Sequence, residues 1–142
     1  MHNETSIRFR AVSQNENFAR AVIAAFASQL NPSLEELSDI RTAVSEAVTN
    51  AIIHGYEQNP DAFVRMDCKI DGSLLSIRVC DDGCGILDVD LARKPFYTTK
   101  PELERSGMGF AVMEAFMDRV SVDSVPDEGT TVTMEKRIGH AQ

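Results

Sequence analysis

The chain has 142 residues, 43% of them hydrophobic and 25% charged, with a formal net charge of −8. A surface this acidic repels nucleic acids and anionic membranes, so neither is an expected direct partner. No run of about 18 apolar residues occurs, so no membrane-spanning helix is expected, and a single domain of this length buries roughly two-thirds of its unfolded surface without disulfides.

After Met1 the chain begins with polar residues (His2–Ser6) and lacks a basic-then-apolar leader, and the three cysteines (Cys68, Cys80, Cys84) are an odd number without framework spacing. Both features fit a reducing cytoplasm. Cys80 and Cys84 find no second ligand pair, so zinc is not expected.

Residues 5–12 alternate, with Ile7, Phe9 and Ala11 on one side and Arg8 and Arg10 on the other, which predicts a half-buried strand. From Asn15 to Leu30, helical spacing links Phe18, Val22, Ala25 and Gln29, and Asn31-Pro32 ends that helix. Ser33 and Glu36 form a capping box for a helix that runs to His54 and stops at Gly55. Residues 63–70 and 74–80 alternate around Asp71-Gly72, the pattern of a hairpin. A helix is predicted from about Gly109 to Asp118, then strands near 119–125 and 130–137 around Pro126-Asp-Glu-Gly129. Without repeats, low-complexity tracts or linkers, residues 1–142 read as one domain. Strands grouped with helices, rather than strictly alternating, predict an α+β two-layer sandwich: a mostly antiparallel sheet covered by helices on one face. Between Ile86 and Ser106, about twenty residues with Pro95 and Pro101 carry no clear element. Stretches of that length are lids, binding loops or disordered segments.

Glu46 is the only charged residue between Thr42 and Ile53. A surface helix normally solvates one face with several charges, so this helix is expected to be covered on both sides. Leu37, Val44, Val48 and Ala51 share one side, while Glu46 and Asn50 stack one turn apart on the other. An E-x-x-x-N pair alone also arises from a solvated glutamate and an asparagine bonded to a loop. Here no Lys or Arg lies within one turn of Glu46. A carboxylate beside a cleft is a candidate general base, because partial desolvation raises its proton affinity. The neighbouring amide oxygen is a hard ligand suited to Mg2+.

Leu75, Ile77 and Val79 alternate up to Asp81, which leaves the sheet at a turn where Gly83 and Gly85 admit close backbone approach. Its carboxylate can accept from an exocyclic amino group such as that of adenine. A calcium loop fails, because the oxygen ligands at alternate positions and the closing glutamate are missing. Turn chemistry alone accounts equally well for an isolated D-x-G-x-G. Ser106-Gly107-Met108-Gly109 opens a helix whose N-terminal N–H groups form an anion site, with Arg105 and Lys94 or Lys100 in reach of terminal phosphates. It is no Walker loop, and the eukaryotic kinase signatures are absent.

In this order and spacing the motifs resemble the ATP site of the GHKL superfamily, whose Bergerat fold the resemblance implies from about residue 7 to 137. Glu46 and Asn50 match its N box, implying a base and a magnesium ligand. Asp81, Gly83 and Gly85 match the box that holds adenine. Gly107, Met108 and Gly109 match the glycine box after an ATP lid at about 86–106, and Thr130 resembles the late threonine that supports adenine. Val44-Ser-Glu-Ala-Val-Thr-Asn-Ala-Ile-Ile-His-Gly-Tyr56 is similar to the anti-sigma serine kinases, above all their sporulation branch. That resemblance implies a homodimer using ATP and Mg2+, sequestering a sporulation sigma factor of the sigma-F type and phosphorylating a serine of an anti-anti-sigma factor. Arg105 would then neutralise the γ-phosphate. Arg20, with Arg8 and Arg10, would form a basic patch for an acidic sigma segment. A stress-response kinase of the same family, or an ATP-gated sigma-binding module without turnover, remains an alternative.

Overall fold

Period-two alternation builds a sheet when one face can be buried, and five segments of this chain meet that condition. The computed structural model describes residues 1–57, 59–86, 89, 93 and 109–139. Its strands are β1 (His2–Arg10), β2 (Phe63–Asp71), β3 (Leu74–Asp81), β4 (Arg119–Val125) and β5 (Gly129–Arg137). They form one sheet in the order β1-β2-β3-β5-β4, and each neighbouring pair is antiparallel. The α+β expectation therefore holds, with antiparallel pairing throughout the described sheet. β1 starts earlier than the alternation suggested and ends at Arg10, because the chain turns there: the Val12 N–H bonds back to the Arg10 carbonyl at 2.8 Å.

Among the described residues three helices cover one face: α1 (Asn15–Ala27), α2 (Leu34–Thr49) and α3 (Gly109–Phe116). The shared core takes Val64, Met66 and Ile70 from β2, Leu75, Ile77 and Val79 from β3, Met134 from β5, and Ile23, Ile40, Val44 and Met113 from the helices. Burying each such side chain contributes about 1.5–3 kcal/mol.

The buried stripe of α1 differs from the expected one. Ala19, Ile23, Phe26 and Ala27 face the core, whereas Phe18 is 48% exposed and makes a T-shaped ring contact with Phe9, centroids 6.2 Å apart. Two helical faces one residue apart both carried apolar side chains, and docking against the sheet and α2 chose between them. After Ala27 the chain tightens into a 3-10 turn (Ser28–Leu30), and Asn31 at φ 50° ends it, as Asn31-Pro32 implied.

The Ser33–Glu36 capping box forms as expected, with reciprocal bonds of 2.9 and 3.0 Å at the start of α2. Its far end does not continue as a regular helix. From Asn50 to Gly55 the backbone widens into a π turn, closed by the Tyr56 N–H on the Ala51 carbonyl at 2.9 Å. Such turns re-aim the residues that follow them. This one carries Gly55 and Tyr56 against the end of β3.

Candidate functional site

Glu46 is half-buried on α2, and Asn50, also half-buried, is the first residue of the π turn that follows it. Val44, Ala47 and Val48 hold the other face of the helix in the core. The Asn50 amide nitrogen is buried and has no hydrogen-bond partner. An orphaned amide is costly unless something satisfies it. A half-turn of that amide presents oxygen at the same place, so the residue fits a hard cation such as Mg2+.

Asp81 ends β3 on the same face as Leu75, Ile77 and Val79, so its side chain points to the helix side of the sheet, where it is buried. Burial pushes its carboxyl up to about 6, and the Asp82 charge adds to this, while the N–H groups of Gly83 and Thr130 pull it back. The Gly83 N–H donates to Asp81 Oδ1 at 2.9 Å. A carboxylate so held is ionised at neutral pH and able to accept from an amino group.

The helix and the strand end meet through glycine. A Cβ on Gly55 would lie 2.7 Å from the Asp81 carboxyl, and a Cβ on Gly83 would lie 2.0 Å from the Gly55 carbonyl oxygen. Only bare backbone permits both approaches. Gly85, at φ 74°, runs against the Val125 carbonyl in the same way. Cys84 completes the turn, its N–H on the Gly55 carbonyl at 2.9 Å and its thiol on the His54 carbonyl at 3.0 Å. The segment that carries Glu46 and Asn50 thus ends in a glycine seated against Asp81.

Thr130 is buried on β5 directly opposite Asp81. Its hydroxyl lies 2.8 Å from Ser124 Oγ, which also accepts the Ile86 N–H at 2.7 Å. Gly109 is buried at the start of α3, whose N-terminal N–H groups suit an anion. Arg105, Gly107, Met108, Lys94 and Lys100 lie outside the described residues, as does most of the 86–106 lid. From that stretch Arg93 is described, and it bonds Glu114 of α3 at 2.9 Å and the Val120 carbonyl at 3.1 Å.

Arg20 does not join Arg8 and Arg10 in one patch. Its guanidinium bonds Asn17 within α1, and its Nε is buried without a partner. Arg8 and Arg10 project from the opposite face of the sheet and stack on Phe63. Among the described residues no group of three or more His, Cys, Asp and Glu side chains is placed to hold a metal ion. Cys68 is buried, its thiol pushed up to about 12 by desolvation and by Asp67, and is chemically inert.

Sequence reasoning missed three contributors. Gly55 read only as a helix stop, yet it abuts Asp81. Tyr56 carried no signal, and its hydroxyl donates to the Phe63 carbonyl at 2.6 Å and accepts the Asp82 N–H at 2.7 Å. Ser124 sat unmarked in a strand, because its role depends on Thr130 being its cross-strand neighbour.

The chain is similar to known proteins in sequence and in fold. Residues 10–136 match the family model described as a histidine kinase-like ATPase domain. The chain is 51% identical over 142 residues to the anti-sigma F factor of Bacillus subtilis (strain 168), covering all of this chain and 97% of that one. It is 54% identical over 138 residues to the anti-sigma F factor of Halalkalibacterium halodurans, covering 97% and 94% of the two chains. A crystal structure of the RsbU and RsbW domains of Rv1364c from Mycobacterium tuberculosis superposes with a TM-score of 0.69 at 20% identity, which shows the shared fold. That match covers 96% of this chain and spans about a third, 32%, of the other.

Proposed function

The chain belongs to the histidine kinase-like ATPase family, and from that membership we propose that it is an ATP-dependent serine-protein kinase that also sequesters a sigma factor. The observation that carries this reading is the seating of Gly55 against the buried Asp81 carboxyl, which brings the end of the segment bearing Glu46 and Asn50 against the strand end that carries Asp81. Full-length likeness to anti-sigma F factors supports a sigma factor as the sequestered partner; the reading adds that this is a sporulation sigma factor and that an anti-anti-sigma protein is the one phosphorylated.

In this reading the whole chain is one kinase domain with a lid at about 86–106, acting in the cytoplasm as a homodimer. Asp81, Gly83 and Gly85 hold the adenine end, supported by Thr130. Asn50 takes the magnesium ion, and the glycines through Gly109 receive the phosphates. Bound Mg-ATP supplies the phosphoryl group and much of the charge neutralisation. Glu46 accepts or orients the proton of the attacking serine hydroxyl, and Arg105 offsets charge on the terminal phosphate. Arg20 offers its half-buried guanidinium to an acidic stretch of the sigma factor.

The test is phosphotransfer to a candidate anti-anti-sigma protein, read as phosphoserine, with Glu46→Ala alongside. Loss of transfer by about 10²–10⁴, with nucleotide affinity retained, is expected of a general base. Undiminished transfer by the variant would remove the base assignment; no transfer by wild type, despite tight ATP binding, would leave an ATP-gated binding module. For the partner contact, Arg20→Glu should weaken sigma binding by about tenfold or more, and an unchanged affinity in a pull-down titration would discard it.

A further inference from the structure

The face of the sheet turned away from the helices carries a cleft of about 340 Å³, lined among others by Arg8, Tyr56, Phe63, Arg65, Cys80 and Asp82. Arg8 and Arg65 stand directly opposite each other across β1 and β2, and Arg65 is in turn opposite Cys80 on β3. The Arg8 guanidinium lies 3.8 Å above the Phe63 ring, and that of Arg10 lies 4.9 Å from the same ring. Like charges in directly opposed positions are destabilising. In a chain of net charge −8, two guanidiniums on one ring, with a third directly opposite Arg8, call for an anionic partner.

The carboxylates nearby only partly answer. Asp67 holds Arg65 at 3.2 Å. Asp61, 89% exposed, reaches Arg10 at 3.7 Å, a weak surface pair. Among the described residues no carboxylate pairs with Arg8. Asp82 also lines the cleft, on the Tyr56 side, where it suits a backbone N–H of the occupant. The net charge disfavours a polyanion such as nucleic acid. An extended acidic segment fits better: a carboxylate on Arg8, an apolar side chain on Phe63 and Tyr56.

This cleft shares a wall with the nucleotide site. The Tyr56 hydroxyl ties the Phe63 carbonyl to the Asp82 N–H. One residue away on each strand of that junction, Gly55 abuts the Asp81 carboxyl. Asp81 faces the helices while Asp82, its neighbour, lines the open-face cleft. A shift of Phe63 or Tyr56 therefore reaches Asp81 through a single hydroxyl.

We propose that the open-face cleft docks a carboxylate-bearing segment of a partner protein, and that the Tyr56 hydroxyl couples its occupancy to the adenine turn. The coupling half rests on the proposed nucleotide site; the docking half does not.

A dye-labelled peptide alternating glutamate and leucine, with a matched lysine–leucine peptide, tests this by fluorescence anisotropy on the full chain. Without nucleotide, wild type should bind the acidic peptide alone, more weakly as salt rises. Arg8→Ala, at an exposed position, should lose about tenfold or more in affinity. With ADP, saturating acidic peptide should shift the ADP dissociation constant by about fivefold. Tyr56→Phe keeps the ring and should abolish that shift. Docking is overturned by binding that ignores peptide charge or Arg8. It is equally overturned by a dimer in light scattering that Arg8→Ala dissociates, which would assign the face to a second copy of the chain. A shift that survives Tyr56→Phe overturns the coupling. Failure of wild type to bind ADP at all would instead strike the nucleotide reading, with the docking result standing apart.

Discussion

Replacing Asp81 by asparagine separates the carboxylate's effect on stability from its effect on nucleotide binding. Burial raises its folded-state value from 3.8 to about 6. The folded state therefore holds that proton more tightly than the unfolded chain does. The resulting stabilisation is complete below about pH 4, the unfolded-state value, and is lost as pH rises through about 6. Its ceiling is about 3 kcal/mol for a shift of this size. Asp81→Asn cannot titrate, so the difference in unfolding free energy between wild type and variant should fall across that window by up to this amount. Urea denaturation of both proteins from about pH 4 to about pH 8 measures it without assuming their absolute offset. Binding should run the opposite way. An amino donor prefers the ionised acceptor, so wild-type ADP affinity should weaken by about tenfold per pH unit well below 6. The variant should lose about ten- to a hundredfold at neutral pH, the worth of a hydrogen bond to a charged group. Calorimetric titration with ADP reads that loss. Parallel stability curves for the two proteins would refute the burial argument, and undiminished ADP affinity in the variant would refute Asp81 as the acceptor.

Gly83→Ala places a methyl 2.0 Å from the Gly55 carbonyl oxygen. Backbone must move, so thermal unfolding should register about 1–3 kcal/mol of destabilisation, together with weakened ADP binding. Wild-type behaviour in both measurements would mean the helix end and the glycine turn are not in contact. Ile23→Ala, at a fully buried position, should cost about 2–5 kcal/mol. Phe18→Ala, at a half-exposed one, should cost well under half of that in the same denaturation series. The reverse ranking would restore the helical face read from spacing alone.

Much of the fold was legible because the signals were local. The capping box at Ser33 and Glu36 is made of residues three apart, and the β2–β3 hairpin is announced by Asp71-Gly72 between two alternating runs. Both are decided by bonds within a few residues, so no tertiary contact was needed to see them. The stripe of α1 was misjudged by one position, since Phe18 and Ala19 are both apolar and only docking distinguishes them. The Arg8–Arg10–Arg20 patch failed for a related reason. Strand alternation sends Arg8 and Arg10 to one side of the sheet, while α1 carries Arg20 on the other.

The sequence by itself determined which chemical groups are available and along which elements they lie: a carboxylate and an amide one turn apart, a carboxylate at a strand end, and glycines around it. Periodicity and capping act over a few residues, and those distances are written in the chain. Only the tertiary structure decided which of these groups' elements meet. The π turn after Thr49 swings Gly55 onto Asp81, and the pairing of β3 with β5 sets Thr130 opposite it. The same packing raises the proton affinity of Asp81 and makes Tyr56 a bridge between two faces of the sheet. Burial and contact between residues tens of positions apart depend on how the layers close, and local sequence carries no record of that.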